Sequence, residues 1–301
     1  MSMRPVKYSS ESQPTMEGAG VHLHRAFGFG KTGDFDPFLL FDDFRNDRPD
    51  DYLAGFPWHP HRGIETITYV LAGTVEHGDS LGNAGTLGAG DVQWMTAGSG
   101  IIHQEMPKGD PAGRMHGFQL WANLPRALKM TTPRYQDVAA ADVPTVTDDD
   151  GTHVRIVCGT FWGRRGPVDG IAADPCYLDI SVPPGQRRTL EVPLGVNAFA
   201  YVFAGSGTFR DASAPRQIAT ELVGQGDRPV LTDVGNRSLV VFDRGDAITV
   251  QAGEDGIRFL LVSGRPIEEP VAWYGPVVMN SQEELRQAFS ELREGTFIKH
   301  R

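Results

Sequence analysis

The sequence predicts an all-β protein made of two domains, each an antiparallel sandwich or barrel. Gly (36) and Pro (21) are spread through the whole chain and separate short runs of β-branched and aromatic residues. Runs of this kind between turn residues are typical of sandwiches and barrels. The length of 301 residues indicates two domains, because a single hydrophobic core usually stops growing below this size.

The predicted strands follow one another as six apolar runs. In chain order they are "ETITYVLAGTV" (65–75), "DVQWMTAG" (91–98), "HGFQLWANL" (116–124), "RIVCGTF" (155–161), "AFAYVFAG" (198–205) and "IRFLLVSG" (257–264). Between the third and fourth runs, "DVAAADVPTVTDDDG" is small, acidic and contains proline, which suits a linker. We therefore expect a first domain over residues 1–136, a linker over 137–151 and a second domain over 152–301.

One helix is predicted near the C-terminus, over about residues 281–293. Ser281 and Glu284 form a capping-box pattern, and Gly295 stands where a C-terminal cap is expected. Apolar residues recur between them at helical spacing, at Leu285, Ala288, Phe289 and Leu292.

The two halves show a short internal similarity. "TYVLAGT" at 68–74 recurs as "AYVFAGS" at 200–206, and in each half a Gly-Asp turn follows, at 90–91 and at 245–246. A duplicated domain accounts for both the repeat and the length of the chain.

Composition excludes several classes of function. The formal net charge is −10 and no run of Lys or Arg is long enough to follow a phosphate backbone, so we expect no direct nucleic-acid binding. No apolar stretch approaches the roughly 18 residues of a membrane span, and the start lacks a signal-peptide core. We expect a cytoplasmic protein with no membrane contact. The only cysteines, Cys158 and Cys176, are too few for a cysteine-based zinc site.

Four residues predict a metal site in the first domain. His59 and His61 are two residues apart, as are His103 and Glu105. Residues i and i+2 of a strand point to the same face, so each pair projects two ligands in one direction. Three imidazoles and a carboxylate suit Fe(II), Mn, Ni, Cu or Zn, and four protein ligands on an octahedral ion leave two positions open.

Three points around this site stay open at the sequence level. Strict alternation from His61 would place Glu65 inward as a competing ligand, whereas a bulge at Arg62-Gly63 would turn it away. His116 and Gln119 are candidates for supporting or pocket roles, or are plain strand positions. Phe56, Trp58 and Met106 are expected either to form apolar walls of the pocket or to be part of the barrel core.

The second domain offers an internal comparison. Aligning the repeats places Glu191 and Pro193 where His59 and His61 stand, and aligning the Gly-Asp turns places Arg258 and Leu260 at the other pair. No ligand set is retained, so we expect no metal in the second domain. Pro60 is also informative, because a residue without a backbone N–H belongs on an edge strand.

The stretches "FDPFLLFDDF", "GFPWHPHRGIETITYVLAGTVEH", "GDVQWMTAGSGIIHQEMP" and "EPVAWYGPVVMNSQEEL" closely resemble the pirin family of the cupin superfamily. The resemblance covers nearly the whole chain and implies a bicupin, two jelly-roll β-barrels in tandem with a short C-terminal helix. It implies one mononuclear divalent metal in the N-terminal barrel, Fe(II) first, with Ni, Cu, Mn, Co or Zn as alternatives. The pirin ligands correspond to His59, His61, His103 and Glu105. Glu65 matches a glutamate of the general cupin motif that is not a ligand in pirins.

The resemblance also implies two classes of function. The first is a quercetin 2,3-dioxygenase type of activity, in which O2 opens the heterocyclic ring of a flavonol. For this activity we expect Glu105, beside the metal, to accept the hydroxyl proton. The second is an iron-dependent regulatory protein that binds a transcription factor or an enzyme without turnover. A third hypothesis is a metal-binding stress protein that catalyses no reaction.

Overall fold

The computed structural model describes residues 1–30, 32–169, 172–210 and 233–300, and most of them lie in antiparallel strands. The strands of the N-terminal half are β1 (Val6–Glu11), β2 (Gln13–Glu17), β3 (Val21–Phe27), β4 (Phe38–Asp43), β5 (Phe56–His61), β6 (Ile64–Ala72), β7 (Thr74–Asp79), β8 (Ala84–Leu87), β9 (Val92–Thr96), β10 (Ile101–Lys108), β11 (His116–Asn123) and β12 (Arg134–Val138). Those of the C-terminal half are β13 (Thr145–Thr147), β14 (His153–Cys158), β15 (Thr160–Phe161), β16 (Arg164–Arg165), β17 (Cys176–Val182), β18 (Arg187–Glu191), β19 (Asn197–Thr208), β20 (Val234–Gly235), β21 (Ser238–Phe242), β22 (Ala247–Gly264), β23 (Ala272–Tyr274) and β24 (Val277–Met279). All six predicted strands are present, which confirms the all-β prediction.

Among the residues that the structure describes, two α-helices accompany the strands, α1 (Thr32–Phe35) and α2 (Gln282–Glu294). The predicted C-terminal helix is α2. Its cap residue Ser281 accepts a hydrogen bond from the Glu284 N–H, and Gly295 ends it in the left-handed conformation. No helix in the described part of the chain is long and apolar enough to span a membrane.

The N-terminal half forms a barrel from two sheets. A seven-stranded sheet has the order β12-β9-β6-β11-β4-β3-β2, and a four-stranded sheet has the order β5-β10-β7-β8. Their inner faces share one apolar cluster, to which Leu23 and Val70 contribute from the large sheet and Val75 and Leu87 from the small one.

The C-terminal half forms a second barrel around a nine-stranded sheet. Its long strands β19 and β22 pair with each other, and β22 also pairs with β17 and β18. This barrel has its own interior cluster, which includes Ile156, Ile180 and Phe259. A third cluster joins the two large sheets, with Phe41 and Tyr69 from the first barrel packed near Phe199, Tyr201 and Leu260 from the second.

Both chain termini cross to the opposite barrel. Strand β1 pairs with β21 of the C-terminal sheet. At the other end, β24 packs on the N-terminal barrel through Val278, and the segment after α2 does so through Phe297, which lies next to Gly100. Within the stretch predicted as a linker, Thr145–Thr147 form the edge strand β13. The division of the chain at residues 136 and 152 stays a prediction. Strand β1 and the C-terminal segment each contact the barrel on the other side of that division.

Candidate metal centre

Three histidines converge inside the N-terminal barrel. One ring nitrogen of each of His59, His61 and His103 lies within 4.8 Å of the others. His61 and His103 are buried, and His59 is half-buried. Within residues 1–30, 32–169, 172–210 and 233–300, no other group of His, Cys, Asp or Glu side chains meets this criterion.

The pairing of β5 with β10 brings these side chains together. His103 lies directly opposite His59, and Ile101 lies opposite His61. The register then shifts, so that Glu105 faces Phe56, and this bulge absorbs one extra residue of β5. Strand β5 is the edge of its sheet, which is where Pro60 was expected.

The ring nitrogens are oriented as metal ligands require. The Nδ1 of His59 lies 2.9 Å from the Pro57 carbonyl oxygen, and that of His61 lies 3.3 Å from the Pro276 carbonyl oxygen. A carbonyl only accepts, so each Nδ1 carries the proton and each Nε2 keeps its lone pair. The two Nε2 atoms lie 3.1 Å apart. Opposed lone pairs at that distance need a cation between them, so the donor set fits a metal.

His103 supports the same interpretation. Both of its ring nitrogens are buried and lack a hydrogen-bond partner among the described residues. Burial lowers the pKa of the His59 imidazole and holds the pKa values of His61 and His103 well below their usual range. Neutral imidazole is the ligand form, and this pocket keeps all three rings neutral at physiological pH.

Glu105 lies beside the histidines but outside the group of three. Its carboxylate is buried, and Oε1 lies 3.1 Å from the Thr68 hydroxyl. Burial raises the pKa of Glu105 to about 7, although the contact with Thr68 acts in the opposite direction. A carboxyl group that titrates near neutrality is suited to proton transfer.

The site opens into an apolar cavity of about 430 Å³. Three of the four predicted ligands, His59, His61 and Glu105, line it. Its walls come from both sheets and from the C-terminal segment, and include Val21, Leu23, Leu40, Phe44, Phe56, Val75, Met115, Trp121 and Pro276. An apolar cavity with a few converging polar groups is the usual form of a small-molecule site.

Comparison with known families decides the family. The pirin family model matches residues 20–122, and the model of the pirin C-terminal cupin domain matches residues 177–298. The chain belongs to the pirin family. The predicted bicupin fold is confirmed by these two matches together with the observed barrels.

Individual pirins and their structural neighbours agree with this assignment. A pirin-like protein of Caulobacter vibrioides is 43% identical over 298 residues, which cover 99% of this chain and 100% of the relative. The crystal structure of a quercetin 2,3-dioxygenase from Acinetobacter baumannii has a TM-score of 0.84 at 30% identity and covers 98% of both chains. The Escherichia coli pirin YhhW, solved in complex with nickel(II), has a TM-score of 0.58 at 22% identity, with 86% of this chain and 99% of that chain covered. At that identity the likeness shows the fold alone.

In this pirin, Glu65 points away from the histidines. Its Oε1 accepts a hydrogen bond from the Thr96 hydroxyl at 2.7 Å. Its neighbours of the same parity on β6, Ile67 and Tyr69, belong to the cluster between the barrels. Alternation is interrupted at Gly63 (φ +77), where a side chain would meet the Val278 carbonyl oxygen at 2.0 Å. Arg62-Gly63 thus form the connection between β5 and β6, which belong to different sheets, and the strict alternation from His61 does not continue to Glu65.

The other candidate pocket residues separate into two groups. Phe56 and Gln119 line the cavity. The other three do not line the cavity. Trp58 is 56% exposed, and Met106 lies next to Gly55. The ring of His116 bonds to Asp47 at 2.6 Å.

Sequence reasoning missed three contributors to this pirin's site. The Pro276 carbonyl orients His61, and the Trp121 ring meets the His61 ring edge-to-face at 5.0 Å. Thr68 lies between Glu105 and Gln119, at 3.1 and 2.7 Å from their oxygens. Strand alternation on β6 and β11 could have indicated Thr68 and Trp121. Pro276 has no such signal, because it lies 215 residues from His61.

Proposed function

We propose that this pirin is a metal-dependent dioxygenase that opens the heterocyclic ring of flavonols such as quercetin with O2. The observation that carries the proposal is the cluster of three histidines, two of which, His59 and His61, line an apolar cavity. A site with open metal positions and apolar walls suits a flat aromatic substrate. The likeness to a quercetin 2,3-dioxygenase at 30% identity supports the same activity. We place this activity in the cytoplasm.

The proposed ligands are His59, His61, His103 and Glu105, around one mononuclear divalent metal. Fe(II) is our first choice, since histidine and carboxylate ligands with open positions are typical of non-haem iron oxygenases. Nickel, copper, manganese, cobalt and zinc suit similar donor sets, and nickel is the ion named for the YhhW pirin. When bound, the metal would act as a Lewis acid toward the deprotonated 3-hydroxyl of the substrate.

The protein's own groups would position the substrate and accept its proton. Glu105 is the proposed acceptor of the 3-hydroxyl proton, since its buried carboxylate lies in the cavity wall with His59 and His61. Thr68 would hold the carboxylate through its hydroxyl, 3.1 Å away. The aromatic rings of Phe56 and Trp121 line the same cavity and would exclude water from the reacting ring.

The test is an oxygen-consumption assay with defined metals. Protein purified without oxygen and loaded with Fe(II) should consume O2 and release carbon monoxide from quercetin. His103→Ala should lose at least about 100-fold of this rate, because removing one ligand weakens both metal binding and activation. His116→Ala is the matched control, since that ring bonds to Asp47 outside the cavity, and it should keep the wild-type rate.

Two results would contradict the proposal. One is an equal rate from wild type and His103→Ala. The other is an absence of flavonol turnover with every metal tested, while metal loading changes the binding of a cellular protein. The second result would instead support the regulatory function, in which a transcription factor or an enzyme is the partner. Elemental analysis of protein prepared anaerobically identifies the native metal.

A further inference from the structure

A second polar group lines the cavity, on strands β2, β3 and β4. Arg25 donates from Nε and Nη2 to the two carboxylate oxygens of Asp42, at 2.8 and 2.7 Å. Its Nη1 lies 2.8 Å from Glu17 Oε1. All three residues line the same cavity as His59 and His61. We call Glu17, Arg25 and Asp42 the distal triad.

The strand order fixes how far Asp42 of the distal triad lies from Thr68, the residue that contacts Glu105. Thr68 is the register partner of Gln119, Gln119 of Asp42, and Asp42 of Arg25, on the adjacent strands β6, β11, β4 and β3. Neighbouring strands lie about 4.8 Å apart, so Asp42 is displaced from Thr68 by about 10 Å across the sheet. Thr68 itself contacts Glu105. The row of register partners from Thr68 to Arg25 therefore has a polar or charged group at each end. Most of the other residues that line the cavity are apolar.

The charges of the distal triad determine what it can bind. One guanidinium and two carboxylates leave it with an excess of negative charge. Each carboxylate oxygen has two lone pairs, and Arg25 occupies only part of this accepting capacity. Asp42 is 5% exposed, so a hydrogen bond that it accepts inside the cavity is protected from competition with water. A hydroxyl donor fits this end of the cavity, whereas a carboxylate on the ligand would be repelled.

We propose that Glu17 and Asp42, held in place by Arg25, recognise a phenolic hydroxyl on the substrate ring farthest from the histidines. The inference rests on the proposed function, which places the chelating 3-hydroxyl of a flavonol at the histidines. It narrows the substrate class to flavonols whose distal ring carries free hydroxyl groups. Arg25 is a positioning residue in this arrangement, and the two carboxylates determine specificity.

The test compares three flavonols that share the chelating group and differ in the distal ring. Quercetin carries two distal hydroxyls, kaempferol one and galangin none. Dissociation constants are measured without oxygen on metal-loaded protein, by quenching of tryptophan fluorescence, since Trp121 lines the cavity. Wild type should bind quercetin at least about tenfold more tightly than galangin, with kaempferol between them, because a hydrogen bond to a charged group contributes this much.

Two variants and one control make the test specific. Glu17→Gln keeps the size of a side chain at the cavity rim, and Asp42→Asn changes the buried carboxylate. Each should bring the quercetin-to-galangin ratio toward one while galangin binds as it does to wild type. Glu76→Gln, on the exposed side of β7, should keep the wild-type ratio. Asp42→Asn also disturbs the ion pair with Arg25. If the Asp42→Asn protein fails to fold, Glu17→Gln alone supplies the result.

The outcomes separate this inference from the proposed function. Turnover of all three flavonols with equal dissociation constants overturns the inference alone. A graded series of dissociation constants that both substitutions flatten supports the inference, even where oxygen consumption is absent and the dioxygenase proposal fails. Absence of binding of any flavonol to wild type overturns the inference together with the substrate class.

Discussion

Individual residues in this pirin are held in the ionisation state that their place in the fold requires. Burial keeps His61 and His103 neutral beside the proposed metal position. The same effect acts on Glu65, whose side chain is buried between the barrels with Oε2 lacking a partner among the described residues. Burial raises the pKa of Glu65 to about 7, against the opposing effect of its hydrogen bond from Thr96.

We predict that Glu65 makes stability fall as the pH rises. Its carboxyl binds a proton more tightly in the folded chain than at the ordinary pKa of 4.5. The associated stability is fully present below about pH 4.5 and is lost as the pH rises through about 7. The full effect is about 3 kcal/mol. Glu65→Gln should remove this dependence, so the difference in unfolding free energy between variant and wild type, measured in urea, should change by about that amount between pH 5 and pH 8.

The control for this prediction is Glu76→Gln, because Glu76 is exposed on β7. Its difference from wild type should be the same at every pH. A constant difference for Glu65→Gln over the same range would show that the buried carboxyl does not titrate as we expect.

At the scale of elements, the C-terminal segment completes the N-terminal barrel. Arg62, which is 2% exposed, follows the ligand strand β5 and reaches three groups. It donates to the carbonyl oxygens of Ser99 and Phe297 and to the carboxylate of Glu291, each at 2.7 Å. The Phe297 ring lies 4.1 Å from its guanidinium carbon. The buried side chain of Arg62 thus connects α2 and the segment after it to the end of the strand that carries His59 and His61.

We expect Arg62→Met to destabilise the protein by about 3 to 5 kcal/mol, because it leaves the buried carbonyl oxygens of Ser99 and Phe297 without this donor. It also removes one partner of the Glu291 carboxylate, which keeps Lys299 at 2.9 Å. Hydrogen exchange of the α2 amides should accelerate more than that of β6. Arg293→Met changes an exposed arginine in the last turn of the same helix and should stay within about 0.5 kcal/mol of wild type. Equal unfolding free energies for the two variants would contradict this role of Arg62.

The sequence predicted features that depend on neighbours in the chain. Two-residue spacing drew attention to His59, His61 and His103, which converge in the structure, and capping residues were enough to place α2. The orientation of Glu65 was left open, because it depends on the close approach of Gly63 to Val278, more than 200 residues away. The distal triad was not predicted for a related reason. It requires the strand order β11-β4-β3, which no local pattern specifies.

At the scale of the whole molecule, the internal repeat reappears as paired contacts between the barrels. Tyr69 and Tyr201 occupy the same position in "TYVLAGT" and "AYVFAGS". Tyr69 of the first barrel donates to Asp179 of the second at 2.7 Å, and Tyr201 of the second donates to Asp43 of the first at 2.8 Å.

Each carboxylate is also held by an arginine of its own barrel. Arg258 donates to both oxygens of Asp179 at 2.9 and 2.7 Å. Arg45 donates to both oxygens of Asp43 at 2.8 and 2.6 Å. In the sequence comparison, Arg258 aligned with the ligand position of His103. In the structure its partner is Asp179. Duplication explains this reciprocity, since each barrel contributes a tyrosine and an acidic residue to the same interface.

The reciprocal contacts predict matched energetic effects. Tyr69→Phe and Tyr201→Phe each remove a buried hydrogen bond to a charged carboxylate without changing the ring, so each should lower the unfolding free energy by about 2 kcal/mol. Both tyrosines are buried between the barrels, so the double variant should weaken the interface from both sides. Denaturant unfolding followed by fluorescence and by circular dichroism should then give separate transitions for the double variant, where wild type gives one. Tyr274→Phe, at a tyrosine that is 67% exposed, should match wild type in both measurements. If the double variant unfolds with wild-type stability in a single transition, the apolar cluster alone joins the barrels and the tyrosine contacts add nothing to their coupling.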